Sequence, residues 1–237
     1  NPDIYIQEML RQVKTLEDAR EGGCSGCIEV GAFGKEAYIL TGYLNVPKII
    51  EITLNNGVNP LTGKQVSIKT GDPRDFNNYQ ELYDAFKTQL NYIVNQKMEV
   101  SNYIDRMFAK YSPATFLSVV IEDCITKGKD YYNGGPRYNT NYIQCTGLGT
   151  VTDSLSVLKK HVFENKSFSM DKVLNSVSKN FEGEEILRQT IINNTPFYGN
   201  DDDYADDIAL QVYNDLFKAI DGKPNTKGET FHLNMLS

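Results

Sequence analysis

The stretch Glu21-Gly22-Gly23-Cys24-Ser25-Gly26-Cys27-Ile28-Glu29-Val30 decides how the rest of the chain is read. Glycines at 22, 23 and 26 break any helix, and Cys27 to Phe33 then reads as a short extended segment. In extended backbone, residues i and i+2 point to one face about 7 Å apart, so Cys27 and Glu29 are expected to look into one cavity from a glycine-flanked tip. A thiol can do nucleophilic or radical work, and a carboxylate beside it can act as general acid or base. Cys-x-Glu is a short pattern. On spacing alone, a buried cysteine next to a surface glutamate is the plainer reading.

Working outward, the chain has 237 residues and four cysteines, at 24, 27, 124 and 145. That is no secreted disulfide framework, which points to a reducing compartment and a cytoplasmic protein. Cys24-Ser25-Gly26-Cys27 has the spacing of half a zinc site or of a redox pair. The other half of a zinc site is missing, because Cys124 and Cys145 stand 21 residues apart and neither His161 nor His232 has a partner at i+3 to i+5. A thioredoxin-like pair would open a helix, whereas Cys27 leads into an extended stretch. A metal or dithiol module using Cys24 and Cys27 therefore stays as the weaker alternative, beside a helical interaction module with no site.

Lys and Arg total 24 against 31 Asp and Glu, a net charge of −7. Neither nucleic acid nor an anionic membrane attracts such a chain, and no apolar run approaches the ~20 residues that span a bilayer. Gly147-Leu148-Gly149 lacks the third glycine of a dinucleotide fingerprint and reads as a turn before a helix at Asp153. Asp201-Asp202-Asp203 with Asp206 and Asp207 lacks the central glycine and closing glutamate of a calcium loop. Capping of a helix start accounts for it better. There is no P-loop and no nucleophile elbow, and neither histidine sits in a context suggesting a catalytic triad.

Periodicity predicts helices over Ile4–Val13, Leu40–Leu54, Asn77 to about Ser112, Thr115–Thr126, Asp153–Phe163, Met170–Phe181, Glu184–Asn193 and Asp201–Ile220. Residues 57 to 75 are turn-rich, with Val66 and Ile68 as a hairpin or excursion. Tyr138–Gln144 reads as extended. Phe231-His232-Leu233-Asn234-Met235-Leu236 alternates as a strand entering a sheet. The class is α/β and mainly helical, with no internal boundary or repeat. A strand at the very end must pair with something, and the start at Asn1 carries no leader, so a piece of a larger protein is expected.

Four blocks then match in order. Gly23-Cys24-Ser25-Gly26-Cys27-Ile28-Glu29 with Lys35-Glu36-Ala37-Tyr38-Ile39-Leu40-Thr41-Gly42-Tyr43 resembles the cysteine loop of the glycyl radical enzymes, in the dehydratase branch of the pyruvate formate-lyase-like superfamily. Leu54-Asn55-Asn56-Gly57 with Pro60 and Thr70-Gly71-Asp72-Pro73 resembles the segment after that loop. Tyr132-Asn133-Gly134-Gly135-Pro136-Arg137-Tyr138-Asn139 and Thr152-Asp153-Ser154-Leu155 resemble the glycine-rich barrel segment and its following helix. Tyr198-Gly199-Asn200-Asp201-Asp202-Asp203-Tyr204 resembles a fourth block.

The resemblance implies residues 1–237 as an internal part of a ten-stranded barrel surrounded by helices, the cysteine loop inserted in its centre. It implies a glycyl radical in a C-terminal part not among these residues, installed by a radical S-adenosylmethionine activating enzyme. The cysteine that becomes a thiyl radical matches Cys27, the carboxylate that moves the proton matches Glu29, and Tyr43 matches a position lining the substrate pocket. The doubled-cysteine form of the loop is that of enzymes removing water from trans-4-hydroxy-L-proline to give a pyrroline carboxylate. A related eliminase acting on a diol, choline or a sulfonate is the alternative. The family's Arg-Val-x-Gly-Tyr-like radical motif is not in the sequence, and Pro136 stands where the family often has a small residue. On this reading the segment alone is inactive, binds no metal, and belongs to a protein that could be a homodimer. Cys24 has no assigned role.

Overall fold

The computed structural model describes residues 2–26 and 29–236. It is α/β and 55% helical. Two compact units emerge, one from residues 1–44, 95–145 and 217–236, the other chiefly from 45–94 and 146–216.

The first unit opens with helix α1 (Pro2–Arg11) and helix α2 (Leu16–Arg20), the latter capped by Thr15, whose side chain accepts from the Asp18 amide at 3.2 Å. Strands β1 (Gly23–Ser25) and β2 (Glu29–Gly31) pair antiparallel, with Gly23 opposite Gly31, Cys24 opposite Val30 and Ser25 opposite Glu29. The extended reading after the glycines thus holds over Glu29–Gly31, and the partner strand β1 is the part that periodicity did not reveal. Met9, Ala19 and Val30 form a small core against which Ile6 packs.

Strand β3 (Glu36–Asn45) follows, where the sequence predicted the start of a helix over Leu40–Leu54. Helix α3 spans only Val46–Leu54. Asn45 caps it by accepting from the Lys48 amide at 3.1 Å, and Pro47 in the first turn fits a helix start. Upstream, Gly42 sits at φ +94°, outside helical backbone, and Thr41 donates its hydroxyl to the Tyr142 carbonyl at 2.9 Å. The apolar spacing of 40–54 was therefore a strand run into a helix.

The second unit takes α3 onward, with a small hairpin of β4 (Val58–Asn59) and β5 (Lys64–Gln65), just before the predicted Val66 and Ile68. Helix α4 (Tyr79–Tyr111) is the predicted long helix, its two halves belonging to different units. Back in the first unit, the helix predicted over Thr115–Thr126 is two: α5 (Thr115–Val120) and α6 (Cys124–Lys127). Ile121 is extended and Asp123 left-handed at φ 73°, because the Glu122 amide bonds to the Gly34 carbonyl at 2.8 Å and draws the chain out of the helix. The apolar pattern of α5 is also not a buried one; Phe116 is 78% exposed.

Strand β6 (Tyr138–Thr146) is buried from Asn139 to Cys145. Helix α7 begins at Leu148, five residues before the expected Asp153, and runs to Val157, where it continues as a π-helical turn over Leu158–Glu164. Gly147 caps α7 at φ +84°, and a Cβ there would strike Pro47, so this glycine sets the approach of α3 to α7. Helices α8 (Met170–Ser178) and α9 (Glu185–Asn194) follow as predicted. Leu82, Leu158, Met170 and Val173 form one buried cluster of this unit. Helix α10 (Asp203–Ile220) starts within the acidic run, whose Asp202 accepts from the Tyr204 amide at 3.0 Å. Strand β7 (Phe231–Leu236) closes a parallel sheet in the order β3-β6-β7. Among the described residues the strands form this sheet and two small antiparallel pairs, β1-β2 and β4-β5.

Candidate active site around Glu29

Cys27, the expected radical carrier, lies outside the described residues. Glu29 opens β2, where burial leaves it 8% exposed. Its Oε1 accepts from Nδ2 of Asn234, on β7, at 2.9 Å. Its Oε2 faces Gly26, 3.6 Å from where a Cβ would stand. The surface-glutamate reading is thus set aside: this carboxylate is buried and held. Tyr43 lies on β3 and is 61% exposed. Cys24, on β1, is exposed.

Under the Glu29 strand sits a polar anchor. Glu36 is fully buried at the start of β3. Its Oε2 accepts from the Ala32 amide at 2.8 Å, and its Oε1 takes Lys14 Nζ at 2.9 Å together with the Thr140 hydroxyl. A charged acceptor with three donors meets the requirement for burying a carboxylate. Gly31 makes this possible, since a Cβ there would overlap Glu36 Oε2 and the Tyr38 ring and hydroxyl. Burial first, and then the Glu36 charge, push the Tyr38 phenol well above its ordinary range, so it keeps its proton. Tyr142, from β6, donates its hydroxyl to the Val30 carbonyl at 2.7 Å. Two backbone points of the hairpin, Val30 and Ala32, are therefore fixed from below.

A second layer of charge surrounds α2. Asp18 accepts from Lys35 at 2.6 Å, from the Tyr138 hydroxyl at 2.7 Å and from Arg137 at 3.2 Å. The Lys35 bond outweighs the cost of burial and holds Asp18 well below the usual carboxylate range. Arg137 comes from the glycine-rich block, which gives that motif a structural task. On β7, His232 lies between Asp221 (2.9 Å) and the Thr230 hydroxyl (3.2 Å), a row that the sequence did not suggest. Asp221 also receives Arg11 at 2.6 Å, which makes the row an ion-pair network tying α1 to the last strand.

Asn234, Glu36, Lys14 and Tyr142 were not singled out from the sequence. The available signal was a polar residue at an inward position of a strand, as Asn234 is in the Phe231–Leu236 alternation. Among the described residues, no group of three or more His, Cys, Asp or Glu is arranged to hold a metal ion, and no helix is long and apolar enough to cross a membrane.

With this geometry in view, the chain can be set beside known proteins. The model of the pyruvate formate lyase-like family matches residues 1–237, and the chain belongs to that family. It is 50% identical over 236 residues to trans-4-hydroxy-L-proline dehydratase of Clostridioides difficile, covering 100% of this chain and 30% of that protein. It is 34% identical over 229 residues to (2S)-3-sulfopropanediol dehydratase of Klebsiella oxytoca, covering 95% of this chain and 28% of the relative. A crystal structure of the Clostridioides difficile hydroxyproline dehydratase with trans-4-hydroxy-L-proline bound superimposes with a TM-score of 0.96 over the whole chain and 30% of its own. The glycerol-bound B12-independent glycerol dehydratase of Clostridium butyricum gives 0.91 at 30% identity, over 98% of this chain and 29% of its own. The chain thus spans under a third of the length of these relatives.

Proposed function

We propose that this chain is a segment of a radical dehydratase that removes water from trans-4-hydroxy-L-proline. The observation that carries the reading is the 50% identity across the full chain, joined to a TM-score of 0.96, with a hydroxyproline dehydratase whose structure holds that compound. Other dehydratases are related at lower identity, which keeps a diol or sulfonate substrate as the second reading.

In this reading Cys27 gives up its thiol hydrogen to a glycyl radical elsewhere in the full protein and takes a hydrogen from the substrate. Hydroxide then leaves with a proton, as water, and Glu29 carries the proton transfer. Cys27 returns its hydrogen to the product radical, so the net change is loss of water alone. A buried carboxylate on a hairpin anchored at Val30 and Ala32 suits this task, because a thiyl radical has to be kept from water and from other side chains. Tyr43 would contact substrate once the remainder of the barrel encloses it. The glycyl radical in a separate segment, the radical S-adenosylmethionine activating enzyme as partner and a cytoplasmic setting belong to the same proposal.

The test is full-length protein, activated anaerobically and offered hydroxyproline, propane-1,2-diol, choline and a hydroxysulfonate in turn. Water loss from hydroxyproline is the expected result. Turnover of the diol with none of hydroxyproline overturns the substrate assignment.

A further inference from the structure

We infer that Lys97 is a positioning residue for substrate binding: by holding the Thr41 carbonyl it fixes the bend of β3 that presents Tyr43. The inference deepens the proposed function and rests on its placing of Tyr43 against substrate. A strand turns alternate residues to alternate faces, and a glycine at positive φ inside one marks a bend that re-aims the residues after it. Gly42, at φ +94°, is such a point within Glu36–Asn45. Beyond it, Tyr43 is 61% exposed while Leu44 is buried. Tyr43 is thus the ring that the bend leaves outside the packing, near the carboxyl end of β3, the end at which parallel sheets present their ligand sites.

The residue before the bend is held from two directions. Nζ of Lys97, on α4, donates to the Thr41 carbonyl at 2.7 Å, and the Thr41 hydroxyl donates to the Tyr142 carbonyl on β6 at 2.9 Å. That Thr41 carbonyl belongs to the planar peptide that leads into Gly42, so its direction and the φ of Gly42 are set together. The ammonium is half-buried, and burial pulls it below the ordinary lysine value. Among the described residues Lys97 makes no ion pair, so its charge is directed at one backbone carbonyl. Burying an ammonium without a carboxylate is a poor route to stability. What Lys97 supplies instead is a charge-assisted hydrogen bond at the one peptide whose orientation decides where Tyr43 goes. A Cβ on Gly42 would stand 3.5 Å from Lys97 Nζ, an ordinary contact, so it is the backbone angle and not lack of space that asks for glycine.

The experiment uses the full-length enzyme, activated anaerobically, with glycyl radical content measured before turnover and kinetics read on whichever of the candidate substrates the wild type converts. Lys97→Met is expected to load the radical as the wild type does and to raise KM about 10- to 100-fold, the scale of a lost hydrogen bond from a charged group, with kcat within about threefold. Lys97→Arg, which keeps a charged donor, should recover most of that loss. Gly42→Ala reaches the same bend through its φ; it should raise KM likewise, and it serves if Lys97→Met does not fold. Because Lys97 acts through Tyr43, Lys97→Met in a Tyr43→Ala background should raise KM by no more than about twofold beyond Tyr43→Ala alone. Effects that multiply in full, or an unchanged KM in radical-loaded Lys97→Met, overturn the inference. An unchanged KM in Tyr43→Ala removes its premise and overturns it as well. Conversion of another substrate in place of hydroxyproline counts instead against the proposed function, and leaves the Lys97 and Tyr43 comparison readable on that substrate.

Discussion

The ammonium of Lys14 lies 2.9 Å from Oε1 of Glu36, and both side chains are almost wholly buried. Desolvating two charges is costly, but the Glu36 carboxylate also takes the Ala32 amide and the Thr140 hydroxyl. Removing one partner leaves the other charge buried and alone, which typically costs about 3–5 kcal/mol. Lys14→Met should therefore lower the thermal midpoint of the full-length protein by several degrees, and Lys14→Met with Glu36→Leu should recover part of the loss. Calorimetry or fluorescence-monitored melting decides it; a single variant as stable as the wild type contradicts the assigned role.

Gly31→Ala is expected to act on function through the same anchor. The added methyl would collide with Glu36 and Tyr38 beneath β2, forcing the Glu29 strand to shift. Turnover should fall at least tenfold, as small displacements of reacting groups do, with radical loading less affected. Equal kcat in the alanine variant would show that the hairpin tolerates movement.

Acid sensitivity follows from Asp221. Burial alone would raise its carboxyl, but the hydrogen bonds from His232 and Arg11 prevail and bring it down to about 2. A carboxylate depressed in the folded state adds stability that is full above its ordinary value, near 4, and is lost as pH falls toward 2. Melting measured stepwise between pH 5 and pH 2 should show a decline that Asp221→Asn makes shallower. Parallel curves for the two proteins would contradict the network.

How much of this was legible in the sequence depends on range. The extended backbone of Glu29–Gly31 after the glycines and the strand at Phe231–Leu236 were readable because turn chemistry and alternation are local. The merged helix over Leu40–Leu54 was misread because β3 is apolar on both faces, as strands of parallel sheets are, and such a run mimics helical spacing. The break between α5 and α6 comes from a backbone bond to Gly34, some 88 residues away in sequence, which no local pattern encodes. Asn234 was hidden for the same reason: its strand was visible, its partner was not.

The three described cysteines should separate cleanly by reactivity. Cys24 is exposed, whereas Cys124 and Cys145 are buried, and burial pushes the Cys145 thiol up to about 12. Brief iodoacetamide treatment of folded protein, read by peptide mass spectrometry, should modify Cys24 and leave Cys124 and Cys145 intact until denaturant is added. Rapid labelling of Cys145 in folded protein would contradict its placement in β6.

In the proposed reaction Cys27 and Glu29 together carry water loss from hydroxyproline. The most direct measurement is product formation by the anaerobically activated full-length enzyme and its Cys27→Ser and Glu29→Gln variants, each with its glycyl radical quantified. A pyrroline carboxylate is expected from the wild type, with turnover reduced at least a thousandfold in both variants at comparable radical content, the order of a lost nucleophile or acid-base group. Wild-type turnover in either variant would contradict it.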